Sequence, residues 1–172
     1  MERPWLAHYP AGVPADVDVN AYASLLDLAE DSFRRYQHLP AYRFMGRVAT
    51  FGDVDAQSRA LAAWLQAQGV QRGDRVAGLL PNAPEALVAF LATASLGAIW
   101  CGCAPEFGAH SVIDRFGQVE PTVLITVAGY VYGEKHIDKR DDVARIRAEL
   151  SSVRHVVEVP YGPGSLEQIG RA

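Results

Sequence analysis

The sequence predicts an α/β fold: an open, mostly parallel sheet flanked by helices. Two observations carry that expectation. From Gly69 onward, apolar runs of roughly five residues alternate with helical segments of roughly ten or more, the pattern of right-handed strand–helix–strand units whose strands are buried on both faces. The change of period falls on turn residues, with "QRGD" introducing the first strand and Gly97 separating a helix from the strand after it.

Each element follows from local chemistry. Residues 1–20 carry Pro4, Pro10, Gly12 and Pro14 without strand or helix period and are expected to form an extended N-terminal arm. Residues 21–172 are expected to make one incomplete α/β subdomain. Over 24–36, Leu25, Leu28, Ala29, Phe33 and Tyr36 recur at helical spacing, with Ser24 as N-cap and Asp27 in the first turn. After Pro40, "AYRFMGRVATF" reads as two short strands around Gly46, a hairpin. Asp53 is expected to cap a second helix that places Val54, Ser58, Leu61, Ala62 and Leu65 on one face and closes at Gly69. "RVAGLL" is then a strand, 82–96 helix, 98–103 strand, 109–119 helix, 122–127 strand, 143–150 helix and 155–159 strand, giving four strands in one sheet. The closing "YGPGSLEQIGRA" shows no periodic element, and the chain is expected to be cut off there rather than finished.

Composition narrows the function. The 172 residues are 49% hydrophobic and 21% charged, an ordinary globular balance that excludes a disordered or collagenous chain. The net charge is -4, and no predicted helix carries a basic stripe, so no nucleic-acid partner is expected. "MERPWLAHYP" lacks the features of a secretory signal, and the apolar stretch 83–100 is interrupted by Pro84 and Glu85. A cytoplasmic protein without a transmembrane segment is expected. Cys101 and Cys103 are expected to point to opposite faces of a strand and to form no disulfide. A metal site needs about four ligands, and the histidines are scattered away from both cysteines, so none is expected.

Three stretches remain as candidates. In "LLPNAPEA" the strand ends at Pro81, Asn82 is expected to cap the helix, Pro84 suits its first turn and Glu85 complements its dipole, which describes a ligand cradle or an ordinary strand-to-helix turn. In "AIWCGC", Trp100 beside Gly102 reads as the wall of an acyl pocket or as core, the commoner role of a lone tryptophan. "GYVYGEKHIDKRDD" reads as a loop from which Lys135, Lys139 or Arg140 could reach a phosphate, or as the solvated start of a helix. No P-loop, dinucleotide fingerprint, HExxH or nucleophile elbow occurs.

"TFGDVDAQSRALAAWLQAQGVQRGDRVAGLLPNAPEALVAFLATASLGA" resembles the N-terminal subdomain of the adenylate-forming acyl-CoA synthetases, in which Thr-aromatic, a helix, "GDRV", a strand and "PN" before a helix recur in that order. Residues 1–77, through "YPAGVPADVD", resemble long-chain fatty-acid CoA ligases. Residues 78–160, through "ATASLGAIW", "SVIDRFGQVEP" and "GYVYG", resemble acetoacetyl-CoA synthetases. Together the two halves imply a chimera joined near residues 75–81.

The resemblance implies that ATP and a small-molecule carboxylate give an acyl-adenylate, that the CoA thiol then displaces AMP, and that Mg²⁺ screens the phosphates. It makes Trp100, Cys101 and Gly102 a candidate wall of the acyl or pantetheine channel. Where related enzymes carry an arginine for the CoA phosphates this sequence has Val131, which leaves Lys135 as the phosphate candidate. The family's phosphate loop ending in lysine, its adenine-binding aromatic stretch, its ribose aspartate and its catalytic lysine do not occur here, so no catalytic residue is assigned. The isolated chain is expected to be inactive, its partner being the missing remainder of the synthetase. The alternative is a non-catalytic binding or interaction module on the same fold.

Overall fold

The structure is a computed structural model describing residues 2–161. A single 3-10 turn over Pro4–His8 opens the described chain, and an Arg3–Asp16 ion pair of 2.6 Å closes the arm on itself. Helix α1 (Leu25–Tyr36) starts as its sequence dictates: Ser24 Oγ accepts from the Asp27 N–H at 3.1 Å. Strands β1 (Pro40–Phe44) and β2 (Arg47–Thr50) pair antiparallel around a two-residue turn, with φ of +46° at Met45 and +78° at Gly46. Two left-handed residues in succession match the right-handed twist of a hairpin, and Gly46 adopts that conformation freely.

Helix α2 (Phe51–Ala67) corrects one expectation. Its N-cap is Thr50, and Asp53 is the third residue of a capping box: the Asp53 N–H donates to Thr50 Oγ1 at 3.0 Å while the Thr50 N–H donates to Asp53 Oδ2 at 2.8 Å. The Thr-x-x-Asp spacing displaces the helix start to a point before Asp53. Gly69 ends the helix with φ +83°, as its sequence position requires.

The sheet orders its strands β4 (Ile99–Cys103), β3 (Arg75–Leu79), β5 (Val123–Thr126), β8 (His155–Glu158), all parallel. The chain leaves β3 through α3 (Pro84–Ser95) to β4, then returns past β3 through α4 (Ala109–Val119) to β5, and reaches β8 after α5 (Arg140–Glu149). Alternation along β3 builds two cores. Val76 and Leu80 join α2, α3 and β5 in one, while Ala77 and Leu79 join α4, α5 and Leu124 in the other. A third cluster of Phe33, Ala49, Val54, Val88 and Leu91 fastens α1 and the β1–β2 hairpin to α2 and α3.

Cys101 and Cys103 share the face toward α4 and α5, against the expectation of opposite faces. Positions two apart on a strand point the same way, so the alternation itself requires this. Both thiols are free.

The stretch read as a loop after the third sheet strand is a second hairpin, β6 (Gly129–Tyr132) with β7 (Lys135–Asp138), closed at Gly133 with φ +59°. Gly129 is required at its base, because a Cβ there would lie 2.5 Å from the Ile137 carbonyl oxygen. The mixed charges of 134–140 concealed the strand, and the Tyr-Val-Tyr run followed by Gly-Glu was the signal for it.

The amino ends of the sheet are tied by "QRGDR". Asp74 Oδ2 accepts from the Gln71 N–H at 2.8 Å, and the Arg75 guanidinium donates to the carbonyls of Val119 at 2.7 Å and Glu120 at 2.9 Å. Arg75 thereby caps α4 from the neighbouring strand. Among the described residues no helix is long and apolar enough to cross a membrane.

Candidate functional site at the carboxyl edge of the sheet

In an open α/β sheet, ligands collect beyond the carboxyl ends of the strands near the point where the winding reverses, here between β3 and β5. Two hairpins stand at that edge. The β1–β2 hairpin lies over it through Phe44, whose ring meets Tyr161 edge-on at 5.9 Å, and through the Tyr42 hydroxyl, which donates to Asn82 Oδ1 at 3.2 Å. Asn82 is therefore not the cap of α3; Ala83 holds that position without a side-chain bond, and Pro84 takes the first turn. Glu85 is buried in the same turn, where the helix dipole favours its charge.

The β6–β7 hairpin stands beside the ends of β5 and β8. Between it, the tip of the β1–β2 hairpin and the last described residues opens a cleft of about 410 Å³, lined by Met45, Tyr130, Asp138, Arg140, Glu158 and Tyr161 among others. Its charges are organised by one pair. The Arg140 N–H donates to Asp138 Oδ1 at 2.9 Å and Nε to both carboxylate oxygens at 3.0 Å, and the guanidinium bonding holds the Asp138 carboxyl down at about 2. Asp138 is thus ionised and matched at neutral pH. Burial, then the nearby charges of Glu106 and Glu85, push the Tyr161 hydroxyl up, so it stays a neutral hydrogen-bonding group.

The residues singled out from the sequence fall in different places. Trp100 is half-buried on β4 and turns its indole onto β3: a Cβ added at Gly78 would clash with Cη2 and lie 2.6 Å from Cζ2. Gly102 is exposed with the same indole beside it, an added Cβ meeting Trp100 Nε1 at 3.5 Å. Cys101 faces the opposite core, and desolvation pushes its thiol up, as it does for Cys103. Trp100 and Gly102 thus share one face of β4, and Cys101 stands on the other.

Of the three cations offered for a phosphate, Arg140 is paired with Asp138. Lys139 is buried, with Nζ bonded to the Asp142 carboxylate and to the Phe107 carbonyl oxygen, so it is corrected to an internal group. Lys135 is exposed, at the turn of the hairpin opposite Tyr132, and Val131 is half-buried on β6 and lines the cleft. Met45, Asp138 and Tyr161 were not anticipated. The Met-Gly turn and the Asp-x-Arg spacing were their only local signals. Among the described residues no group of three or more His, Cys, Asp or Glu side chains could hold a metal ion.

A doubly wound parallel sheet with loops gathered at its carboxyl edge is an α/β architecture that binds its ligands at that edge. The chain belongs to the AMP-binding enzyme family, which matches residues 29–168. It is 39% identical to the acetoacetyl-coenzyme A synthetase of Rhizobium meliloti (strain 1021) over 145 residues, covering 81% of this chain and 22% of that protein. It is 33% identical to a long-chain-fatty-acid–CoA ligase of Yersinia pestis over 164 residues, covering 94% of this chain and 27% of that one. The solved acetoacetyl-CoA synthetase of Streptomyces lividans superposes with a TM-score of 0.76 at 44% identity, over 86% of this chain and 25% of the other. The chain thus spans about a quarter of the length of these relatives. Matches this long run across residues 75–81, so both branches align through the place where the two resemblances meet.

Proposed function

We propose that the chain is the N-terminal α/β part of an acyl-CoA synthetase that activates a small 3-oxo acid of the acetoacetate type. The single observation carrying this reading is the 44% identity with the Streptomyces lividans acetoacetyl-CoA synthetase, against 33% with the long-chain ligase. In the complete enzyme the substrate carboxylate attacks the α-phosphorus of ATP and pyrophosphate leaves. The CoA sulfur then attacks the acyl carbonyl carbon and AMP leaves with the bonding pair. Mg²⁺ would screen the phosphates in the first step, with ligands from outside the described residues. Cytoplasmic ATP and CoA are the cosubstrates.

This chain's contribution is to the CoA side. The β6–β7 hairpin offers Lys135 to a CoA phosphate, and Trp100 and Gly102 form part of the acyl or pantetheine wall, with the open backbone at Gly102 as its approachable side; Cys101, on the opposite face of β4, drops out of that wall. The 172 residues contain no Gly-rich phosphate loop ending in lysine, so they do not adenylate by themselves. ATP–pyrophosphate exchange with acetoacetate and with a long-chain fatty acid, run beside calorimetric titration with CoA, tests both statements. No exchange with measurable CoA binding is expected. Robust exchange by the isolated chain would overturn the division of labour, and absence of CoA binding would overturn the CoA-facing assignment.

A further inference from the structure

Lys139 is the one buried Lys or Arg side chain among the described residues, 7% exposed, and neither the cleft nor the proposed CoA contacts account for it. A buried ammonium persists only where acceptors replace its water. Lys139 Nζ has two: the carboxylate of Asp142 in the first turn of α5, and the carbonyl oxygen of Phe107 at 3.3 Å in the loop between β4 and α4. Its backbone N–H donates to the Ala128 carbonyl at 2.8 Å, at the base of the β6–β7 hairpin. The far side of the Phe107 junction is fastened as well, since the Arg115 guanidinium of α4 sits 4.7 Å over the Phe107 ring. One residue therefore joins the first turn of α5 and the base of the β6–β7 hairpin to the β4–α4 loop, 32 positions away along the chain.

An apolar side chain would fill this space at lower desolvation cost, but it would leave the Phe107 carbonyl oxygen without its donor. We infer that Lys139 is a positioning residue that locks the β4–α4 loop to the base of the β6–β7 hairpin, so that the two loops hold a ligand as one unit. The ligand half of this inference rests on the CoA-facing reading above; the mechanical half stands on the contacts alone.

Hydrogen–deuterium exchange of the chain reads the mechanical half. In Lys139→Met, protection is expected to fall about tenfold in 104–109 and 129–138 together, with α2 and α3 unchanged. Loosening of one loop alone, or of the whole chain equally, overturns the lock. If Lys139→Met fails to fold, Asp142→Asn replaces it: the same two segments are expected to loosen together, and an unchanged pattern overturns the inference.

CoA calorimetry reads the ligand half. Lys139→Met is expected to weaken CoA about tenfold, and Lys139→Arg, which keeps the charge and the reach to Phe107, to restore affinity to within about threefold. Equal CoA affinity in wild type and Lys139→Met overturns the inference while leaving the CoA reading intact. No CoA binding by the wild-type chain overturns the CoA reading and the ligand half together, and the exchange result still decides the lock.

Discussion

The two ends of the sheet use their polar groups in opposite ways. At the amino end they close on the backbone. Arg75 serves the carbonyls of Val119 and Glu120, the Gly73 N–H reaches the Gly97 carbonyl at 3.0 Å, and the Thr122 N–H reaches that of Arg75 at 2.9 Å. At the carboxyl end the strands give way to two hairpins and a cleft whose rim carries Asp138, Arg140, Glu158 and Tyr161. The same four strands are thus sealed at one end and chemically equipped at the other. In a doubly wound sheet that difference separates residues that stabilise from residues that bind.

The largest perturbation should disregard the difference. Phe116 is fully buried against the sheet, and Phe116→Ala is expected to cost about 3–5 kcal/mol in denaturant unfolding, enough to compromise both ends. A loss under about 1 kcal/mol would mean that the α4 core is not packed as described.

Gly78→Ala tests the middle of the sheet. The added methyl group collides with the Trp100 indole, and overpacking of this kind costs about 1–3 kcal/mol. In a Trp100→Leu background most of that cost should vanish, so a double-mutant cycle isolates the contact. Additive losses would show that the glycine serves something other than seating the tryptophan.

Arg75→Met sharpens the sealed end. Losing charged donors to two carbonyls is expected to cost about 1.5–3 kcal/mol and to leave the exchange protection of the β6–β7 hairpin unchanged. Loosening of that hairpin would break the separation between the ends.

A smaller effect appears in acid. Hydrogen bonds from the Thr50 N–H, then from its hydroxyl, hold the Asp53 carboxyl below its ordinary value. A depressed folded pKa stabilises the protein above the unfolded value, near 3.8, and the contribution disappears as pH falls through the folded value. Wild-type stability should therefore fall more steeply than that of Asp53→Asn below about pH 4, a difference visible in denaturant midpoints. Parallel pH profiles would remove the capping box from the account. Smallest of all, the exposed Asp138 carboxyl should titrate near 2 by NMR, and an ordinary value would show that its pair with Arg140 does not form in solution.

The sealed end was legible in the sequence to a greater degree than the equipped one. Apolar strands between helices, and Gly69 and Gly97 at helix ends, announce themselves through period and backbone conformation, which are local properties. The β6–β7 hairpin did not, because its exposed second strand, β7, carries charge rather than an apolar alternation, and β-propensity in Tyr-Val-Tyr was outweighed by "GEKHIDKR". Asp53 and Asn82 were misplaced by a few residues for related reasons. A capping box moves the helix start upstream, and Asn82 is claimed by Tyr42, forty positions away along the chain. Lys139 looks like a solvated cation in sequence and becomes an internal one only when Phe107 folds against it.

Whether this sheet serves an acetoacetate-activating synthetase is tested most directly by transplantation. Residues 29–160 would replace the matching segment of the Streptomyces lividans acetoacetyl-CoA synthetase, and CoA-thioester formation would be followed with acetoacetate and with a long-chain fatty acid. The account predicts a hybrid that forms acetoacetyl-CoA in preference to the long-chain thioester. A soluble, folded hybrid that prefers the fatty acid, or that adenylates acetoacetate without passing it to CoA, would contradict it.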